Sequence, residues 1–415
     1  MIGSVVVVGG GIAGVSTAGA LRAGGFTGDV TVVDAGECPY DRPPLSKGFL
    51  AGTVELERIA LQPPQWYDEQ KVRLAARRTV TALRPGEGAV ELSDGSTLSA
   101  DRVVLATGGL AARPPIPGLD GPRVHVLRTV DDALRLRAEL RPGARVLIVG
   151  AGLIGAEVAS TAVDLGCSVD LIDPVSPPLR AVVGDRLADW LHERHRQRGV
   201  RTRQVTLESL QDNGSAAQAR TSDGESGDFD VVVLGVGMVP DTALATAAGL
   251  RTDRGVLVDE NLVTGNPSVL AVGDAARVQR DGTVLPRTEH WEQAQRDGQR
   301  AAATILGSAP PAEGAAWFWT DRHGSHVEVT GSLGAAETTV VRGEFGSPQF
   351  AVLGLARGLV VGAAGVDDSA TVRAARRLID RRIAVDADAL ADPRTDLRAL
   401  LRGRDAPTGE KGAVR

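Results

Sequence analysis

Two apolar runs, far apart in the chain, lead into the same spacing of glycines. Ile2 to Val8 is nearly continuous and β-branched, the pattern of a parallel strand buried on both faces. It runs straight into Gly9-Gly10-Gly11-Ile12-Ala13-Gly14. Val15 to Ala23 reads as a helix, small and apolar on the side that would face a sheet. Val30 to Val33 is a second strand, ending at Asp34, 20 residues beyond Gly14. The pattern returns at Ala144 to Val149, followed by Gly150-Ala151-Gly152-Leu153-Ile154-Gly155 and a helix to about Leu165. The next strand, Ser168 to Ile172, ends at Asp173, 18 residues after Gly155. Further on, Pro310-Pro311 with Gly314 reads as a linker. Strand-like segments at Val327–Thr330, Thr338–Arg342, Phe350–Leu355 and Leu359–Ala363 precede a terminal helical region.

Each repeat has the form of a dinucleotide-binding fingerprint in its required strand–turn–helix context. The first glycine (Gly9, Gly150) permits the tight turn. The second (Gly11, Gly152) lets backbone approach a pyrophosphate, and the third (Gly14, Gly155) lets helix and strand pack closely. The helix N-terminus offers free N–H groups and a favourable dipole to phosphate. The closing acid can accept hydrogen bonds from a ribose. Two nicotinamides on one chain would have no use, whereas one flavin and one nicotinamide make a hydride relay, so FAD with NADH or NADPH is the economical reading. Asp173 would bond a 2′-hydroxyl and repel a 2′-phosphate, and no arginine follows it until Arg180, which favours NADH.

Composition narrows the class. The chain has 415 residues, enough for about two to four domains, with 43% hydrophobic and 24% charged. That mixture excludes a disordered or membranous bulk. The net charge of −6 argues against nucleic acid as the main partner. The two cysteines, Cys38 and Cys167, exclude a disulfide scaffold and a cysteine-rich zinc site. The opening residues lack the pattern of a signal peptide, and no apolar run reaches about 18 residues, so no membrane partner and a cytoplasmic location are expected. His192 and His195 form an HxxH on a helix predicted from about Asp185 to Arg198. Arg194, Arg196 and Arg198 surround them, so a solvated helix face and no metal site are expected.

Other motifs carry a family resemblance. Pro39-Tyr40-Asp41-Arg42-Pro43-Pro44-Leu45-Ser46-Lys47 follows the first acid, and Leu105-Ala106-Thr107-Gly108 forms an Ala-Thr-Gly turn. Val233 to Gly237 through Pro240 looks like a returning strand, and Val269 to Ala275 contains Gly273-Asp274. Arg287-Thr288-Glu289-His290-Trp291 and Trp317-Phe318-Trp319-Thr320-Asp321 complete the set. On these motifs, over about residues 2–403, the chain resembles the FAD-dependent pyridine nucleotide reductases. Within them it resembles the ferredoxin reductases that serve bacterial cytochrome P450s and ring-hydroxylating dioxygenases.

The resemblance implies an α/β fold with two Rossmann-like dinucleotide-binding domains, glutathione-reductase-like, plus a C-terminal α+β domain. Residues 1–108 and 233–312 would form the FAD domain, 109–232 the NADH domain and 315–403 the third, with 404–415 a flexible tail. It implies non-covalent FAD, NADH as donor, and a [2Fe-2S] or similar ferredoxin that feeds a P450 or oxygenase. Arg42, Ala106, Thr107, Gly108, Gly273, Asp274 and Trp291 would join the fingerprint residues in holding cofactor, with Glu289 as an NADH contact. Lys47 and Glu157 would meet beside the flavin ring and pair when no cofactor is bound, Glu157 then ordering the nicotinamide. Trp319 would either lie by the flavin and help electrons leave, or be a core tryptophan of the third domain.

Some features depart from the family or leave alternatives open. Cys38 lies four residues after Asp34, earlier than the redox cysteines of disulfide reductases and NADH peroxidases, so it reads as a loop or packing residue. A thiol or peroxide reductase using Cys38 is the alternative enzyme. An NADH-sensing flavoprotein related to the apoptosis-inducing factors is the alternative that is not primarily an enzyme. Pro177-Pro178-Leu179 replaces an arginine that in relatives precedes Pro-Leu and helps hold NADH, leaving Arg180 to supply that charge. His323-Gly324-Ser325-His326 stands where relatives are aromatic or apolar. Arg373, Arg376, Arg377, Arg381 and Arg382 share one predicted helix, either a solvated face or a basic docking face for an acidic ferredoxin.

Overall fold

The computed structural model describes residues 2–401. The expected tail, 404–415, and the last residues of the expected third domain lie outside them. Contacts divide the described residues into two units, residues 2–176 with 198–312, and residues 177–197 with 313–401.

The first unit contains both nucleotide folds. β1 (Ser4–Val8) leads through the glycine turn into α1 (Ile12–Ala23), which starts three residues ahead of the helix expected at Val15 because Gly11 is its N-cap. β2 (Asp29–Val33), β3 (Val72–Ala75) and β4 (Arg102–Leu105) follow. In the second fold, β5 (Val124–Val126) precedes β6 (Arg145–Val149), α2 (Leu153–Asp164) and β7 (Ser168–Ile172). α3 (Asp185–Gln197) belongs to the second unit, and β8 (Arg201–Arg203) and β9 (Val231–Leu234) complete the second sheet. β10 (Val269–Ala271) then returns to the edge of the first sheet, and α4 (Trp291–Leu306) packs along α1.

The two sheets are parallel and alike, in the orders β10-β4-β1-β2-β3 and β8-β7-β6-β9-β5. Val5–Val8 and Val146–Val149 are buried on both faces, which is why these strands are uninterrupted apolar runs. The glycine turns follow from close packing. A Cβ on Gly14 would lie 2.0 Å from the Gly9 carbonyl oxygen, and one on Gly155 would lie 1.9 Å from that of Gly150. Gly9 (φ +108°) and Gly150 (φ +98°) adopt backbone that favours glycine. The short strands Gly109–Ala111 and Met238–Pro240, antiparallel to each other, carry the chain out of the first fold and back.

In the second unit, β11 (Trp317–Arg322), β12 (Ser325–Gly331), β13 (Thr338–Arg342), β14 (Phe350–Ala356) and β15 (Leu359–Val366) form an antiparallel sheet in the order β11-β12-β15-β14-β13. β11 extends the expected strand set by one. His323 and Gly324, both at positive φ, close its two-residue hairpin to β12. α5 (Ser369–Arg381) packs on this sheet through Val372, Ala375 and Leu378.

The expected solvated face at His192 and His195 is corrected for His195. That residue continues the buried stripe Leu187–Leu191 of α3 and is 1% exposed. Its Nδ1 meets the Nε2 of His323 at 2.8 Å, and Arg194 donates to the His323 carbonyl at 3.0 Å. Burial, reinforced by Arg322, pushes the His195 pKa down to about 2, so the ring is neutral in the fold. An HxxH pair among arginines looks exposed in sequence; the long-range partner that buries half of it carries no local signal.

Candidate functional site

Both nucleotide folds position their acid identically. Asp34, just past β2, accepts the Gly10 N–H at 2.6 Å and the Gly36 N–H at 2.8 Å. Asp173, just past β7, accepts the Ala151 N–H at 2.8 Å and the Val175 N–H at 2.8 Å. Each carboxylate therefore locks its own glycine turn and keeps lone pairs for a ribose. The residues present fit a dinucleotide at each turn. A Cβ on Gly152 would meet no heavy atom within 4 Å, and one on Gly11 would meet only the Arg42 guanidinium, at 3.7 Å. Each helix N-terminus thus opens on space that glycine leaves clear.

Two guanidinium groups lie close together beside the first turn. From Gly108 (φ +69°), a Cβ would lie 3.3 Å from both the Arg42 and the Arg128 guanidinium nitrogens. Burial and then the neighbouring Arg128 hold the Arg42 pKa below the usual arginine range. A desolvated guanidinium beside a second one calls for an anion. Arg128 also donates to the Gly109 carbonyl at 2.9 Å and to Asp274 at 2.8 Å, so it orients that acid. Ala106 donates its N–H to Val8 at 2.8 Å, and Thr107 donates its hydroxyl to the Asp241 carbonyl at 2.7 Å, tying the Ala-Thr-Gly turn to both passing strands.

Lys47 and Glu157 come together. Nζ lies 2.9 Å from Oε2, with the glutamate side chain 3% exposed in α2. Ser46 donates its hydroxyl to the same oxygen at 2.5 Å, and Thr161 donates to the Ser46 carbonyl at 2.8 Å. Lys47 also donates to the Pro43 carbonyl at 3.1 Å. One ion pair therefore joins the Pro43–Lys47 segment of the first fold to the fingerprint helix of the second. Trp291, at the start of α4, donates its indole N–H to Asp41 at 2.6 Å, and burial raises the Asp41 pKa. Glu289 is ion-paired with Arg287.

Other expected residues have partners or surroundings of their own. Trp319 is on β11 in the second unit, its ring centroid 5.0 Å from that of Trp317, whose indole N–H reaches Glu328 at 2.9 Å. Arg180 is paired with Asp185 at 2.8 Å. The Cys38 thiol is pushed up by burial and by Glu37, Asp34 and Glu57, which disfavours a thiolate. Among the described residues there is no cluster of three or more metal-ligating side chains, and no helix is long and apolar enough to cross a membrane.

Sequence reasoning missed Arg128, Ser46 and Asp41. Arg128 precedes an N-cap threonine and has no spacing to the glycines. Ser46 and Asp41 lie inside the Pro39–Lys47 motif, where nothing local distinguishes them from their neighbours.

Residues 3–298 match the Pyridine nucleotide-disulphide oxidoreductase family, and residues 317–401 match the Reductase C-terminal family. Putidaredoxin reductase CamA of Pseudomonas putida is 34% identical over 97% of this chain and 98% of its own length. The anthranilate 1,2-dioxygenase system ferredoxin–NAD(+) reductase component of Burkholderia cepacia is 36% identical over 95% of this chain and 98% of its own. The reductase in the crystal structure of the covalent putidaredoxin reductase–putidaredoxin complex superposes with a TM-score of 0.87 at 31% identity, covering 96% of this chain and 98% of that one. With its doubled dinucleotide fold and sequence similarity along nearly its whole length, the chain belongs to the pyridine nucleotide-disulphide oxidoreductase family, among relatives that are themselves ferredoxin reductases.

Proposed function

We propose that this protein is a cytoplasmic FAD-dependent NADH:ferredoxin oxidoreductase whose acceptor is a [2Fe-2S] or similar ferredoxin feeding a P450 or a ring-hydroxylating oxygenase. The observation that carries the reading is the Lys47–Glu157 pair, which links the first dinucleotide fold to the fingerprint helix of the second at one point. The chemistry that bound FAD would supply is acceptance of a hydride from NADH and release of electrons one at a time, matching a two-electron donor to a one-electron acceptor.

The chain's own residues hold and orient the cofactors. Arg42, Arg128 and the N-terminus of α1 take the charge of the FAD pyrophosphate. Asp34 accepts from the adenosine ribose, and Asp274, oriented by Arg128, from the ribityl chain. Asp173 accepts from the NADH ribose and repels a 2′-phosphate. Lys47 holds Glu157 until the nicotinamide arrives, and Glu157 then orders it. The exposed arginines of α5 form the docking face for an acidic ferredoxin.

An anaerobic titration of the purified protein with NADH tests the reading. One equivalent per flavin should complete the bleaching, and a ferredoxin should then restore the yellow colour. A second equivalent, abolished in Cys38→Ser, would replace this reading with a thiol or peroxide reductase. A long-lived reduced complex that no ferredoxin oxidises would replace it with an NADH-sensing flavoprotein.

A further inference from the structure

α4 buries one carboxylate. Asp297 is 8% exposed on the stripe that also carries Ala294, Gly298, Ala301, Ala302 and Ile305. A helix packing through small apolar residues gains nothing from a charge there. One Asp297 oxygen accepts the Gly273 N–H at 3.1 Å, and the other accepts the Gln293 amide at 2.7 Å. Gly273 (φ +64°) opens the turn that presents Asp274. Asp297 therefore ties α4 to the turn that carries a proposed flavin residue.

Few charges surround it. Asp274 faces it from the turn, Arg300 lies three positions along on α4, and His290, at the start of α4, senses Asp274. α1 contributes Ala13, Ser16 and Thr17 to the packed face. Its one charged residue, Arg22, is engaged elsewhere with the carbonyls of Phe26, Gly28, Gln70 and Lys71. Burial is the main cause that pushes the Asp297 pKa up to about 6, with Asp274 adding to it, while the Gln293 and Gly273 bonds and Arg300 oppose.

We propose that Asp297 is a positioning residue for FAD, holding the Gly273–Asp274 turn, and that the protein takes up a proton at Asp297 as FAD enters. The inference rests on the reading of Asp274 as a flavin residue. FAD brings a doubly negative pyrophosphate and excludes water, and both changes disfavour a second buried carboxylate beside Asp274. The step balances as carboxylate plus proton plus FAD giving the complex with a neutral carboxyl. That carboxyl still accepts the Gly273 N–H, so the turn is kept. By linkage, FAD binds more tightly as pH falls, by up to about tenfold per pH unit while Asp297 titrates between its free and occupied values.

The test is the FAD Kd of the apoprotein from pH 5.5 to 8, read by flavin fluorescence, with calorimetry in two buffers of different ionisation enthalpy. The wild type should weaken by about tenfold or more from pH 6 to 8 and take up a proton on binding near pH 7. Asp297→Asn, which keeps an acceptor for Gly273, should lose most of the slope and the proton uptake, and should bind more tightly than wild type at pH 8. His290 is common to both proteins, so the difference between them isolates Asp297. Asp297→Leu, which removes the acceptor, should bind FAD about tenfold or more weakly at every pH. An unchanged slope in the asparagine variant, or no proton uptake by the wild type, overturns the proton linkage. Wild-type affinity in the leucine variant overturns the positioning role. A wild-type apoprotein that binds no FAD at any pH overturns the functional reading itself.

Discussion

Glu157 is among the most buried charged side chains of the described chain, and it tolerates burial because Lys47 and Ser46 both reach one of its oxygens. Removing one partner of such a pair costs more than removing both, since the survivor stays buried and charged. Lys47→Met should therefore lower stability by roughly 1–3 kcal/mol, less than the ~3–5 of a fully buried pair because Ser46 still donates. The double variant Lys47→Met/Glu157→Gln should recover most of that loss in thermal melts. Flavin bleaching by NADH in stopped flow should slow at least tenfold in either form. Rates equal to wild type in both would remove the pair from the mechanism. The two residues were named from sequence through their motif positions alone. Their contact spans 110 residues, and no periodicity encodes it.

At the scale of elements, α5 separates two roles that looked like one in sequence. Its apolar stripe packs on the antiparallel sheet, and Arg373, Arg377 and Arg381 line the opposite, exposed face at spacings of four. Arg376 is half-buried and donates to the Ala315 carbonyl at 3.0 Å, so it belongs to the packing and not to the stripe. Arg373→Glu/Arg377→Glu should raise the ferredoxin KM about fivefold or more and flatten its dependence on ionic strength, while NADH-driven reduction of ferricyanide is unchanged. A ferredoxin KM and salt dependence equal to wild type would assign the stripe to solvent. The elements themselves were largely legible. Continuous β-branched runs marked both-face-buried strands, and period-two and helical patterns marked the last sheet and α5. The β11 strand was not marked, because its alternation is hidden inside an aromatic motif.

For the molecule as a whole, the second unit has a built-in dependence on pH. His326 contacts Asp321 at 2.5 Å and Glu328 at 3.2 Å. Burial pulls its pKa down, but the two carboxylates outweigh this and hold it above the ordinary 6.5. The imidazolium contribution to stability is thus fully present below about pH 6.5 and lost as pH rises through the raised folded value. His326→Gln should melt below wild type at pH 6, and the gap should shrink toward pH 8.5. A gap that stays constant across that range would rule out the charged pair as its source. What the sequence by itself determined is the doubled dinucleotide fold, because glycine spacing, apolar runs and the closing acids act through local backbone geometry. Only the tertiary structure decided which polar groups meet: Arg42 beside Arg128, Lys47 on Glu157, Asp297 on Gly273, and His195 buried against His323. Those contacts join residues distant in the chain, and burial and electrostatics at such a distance are set only once the sheets have closed.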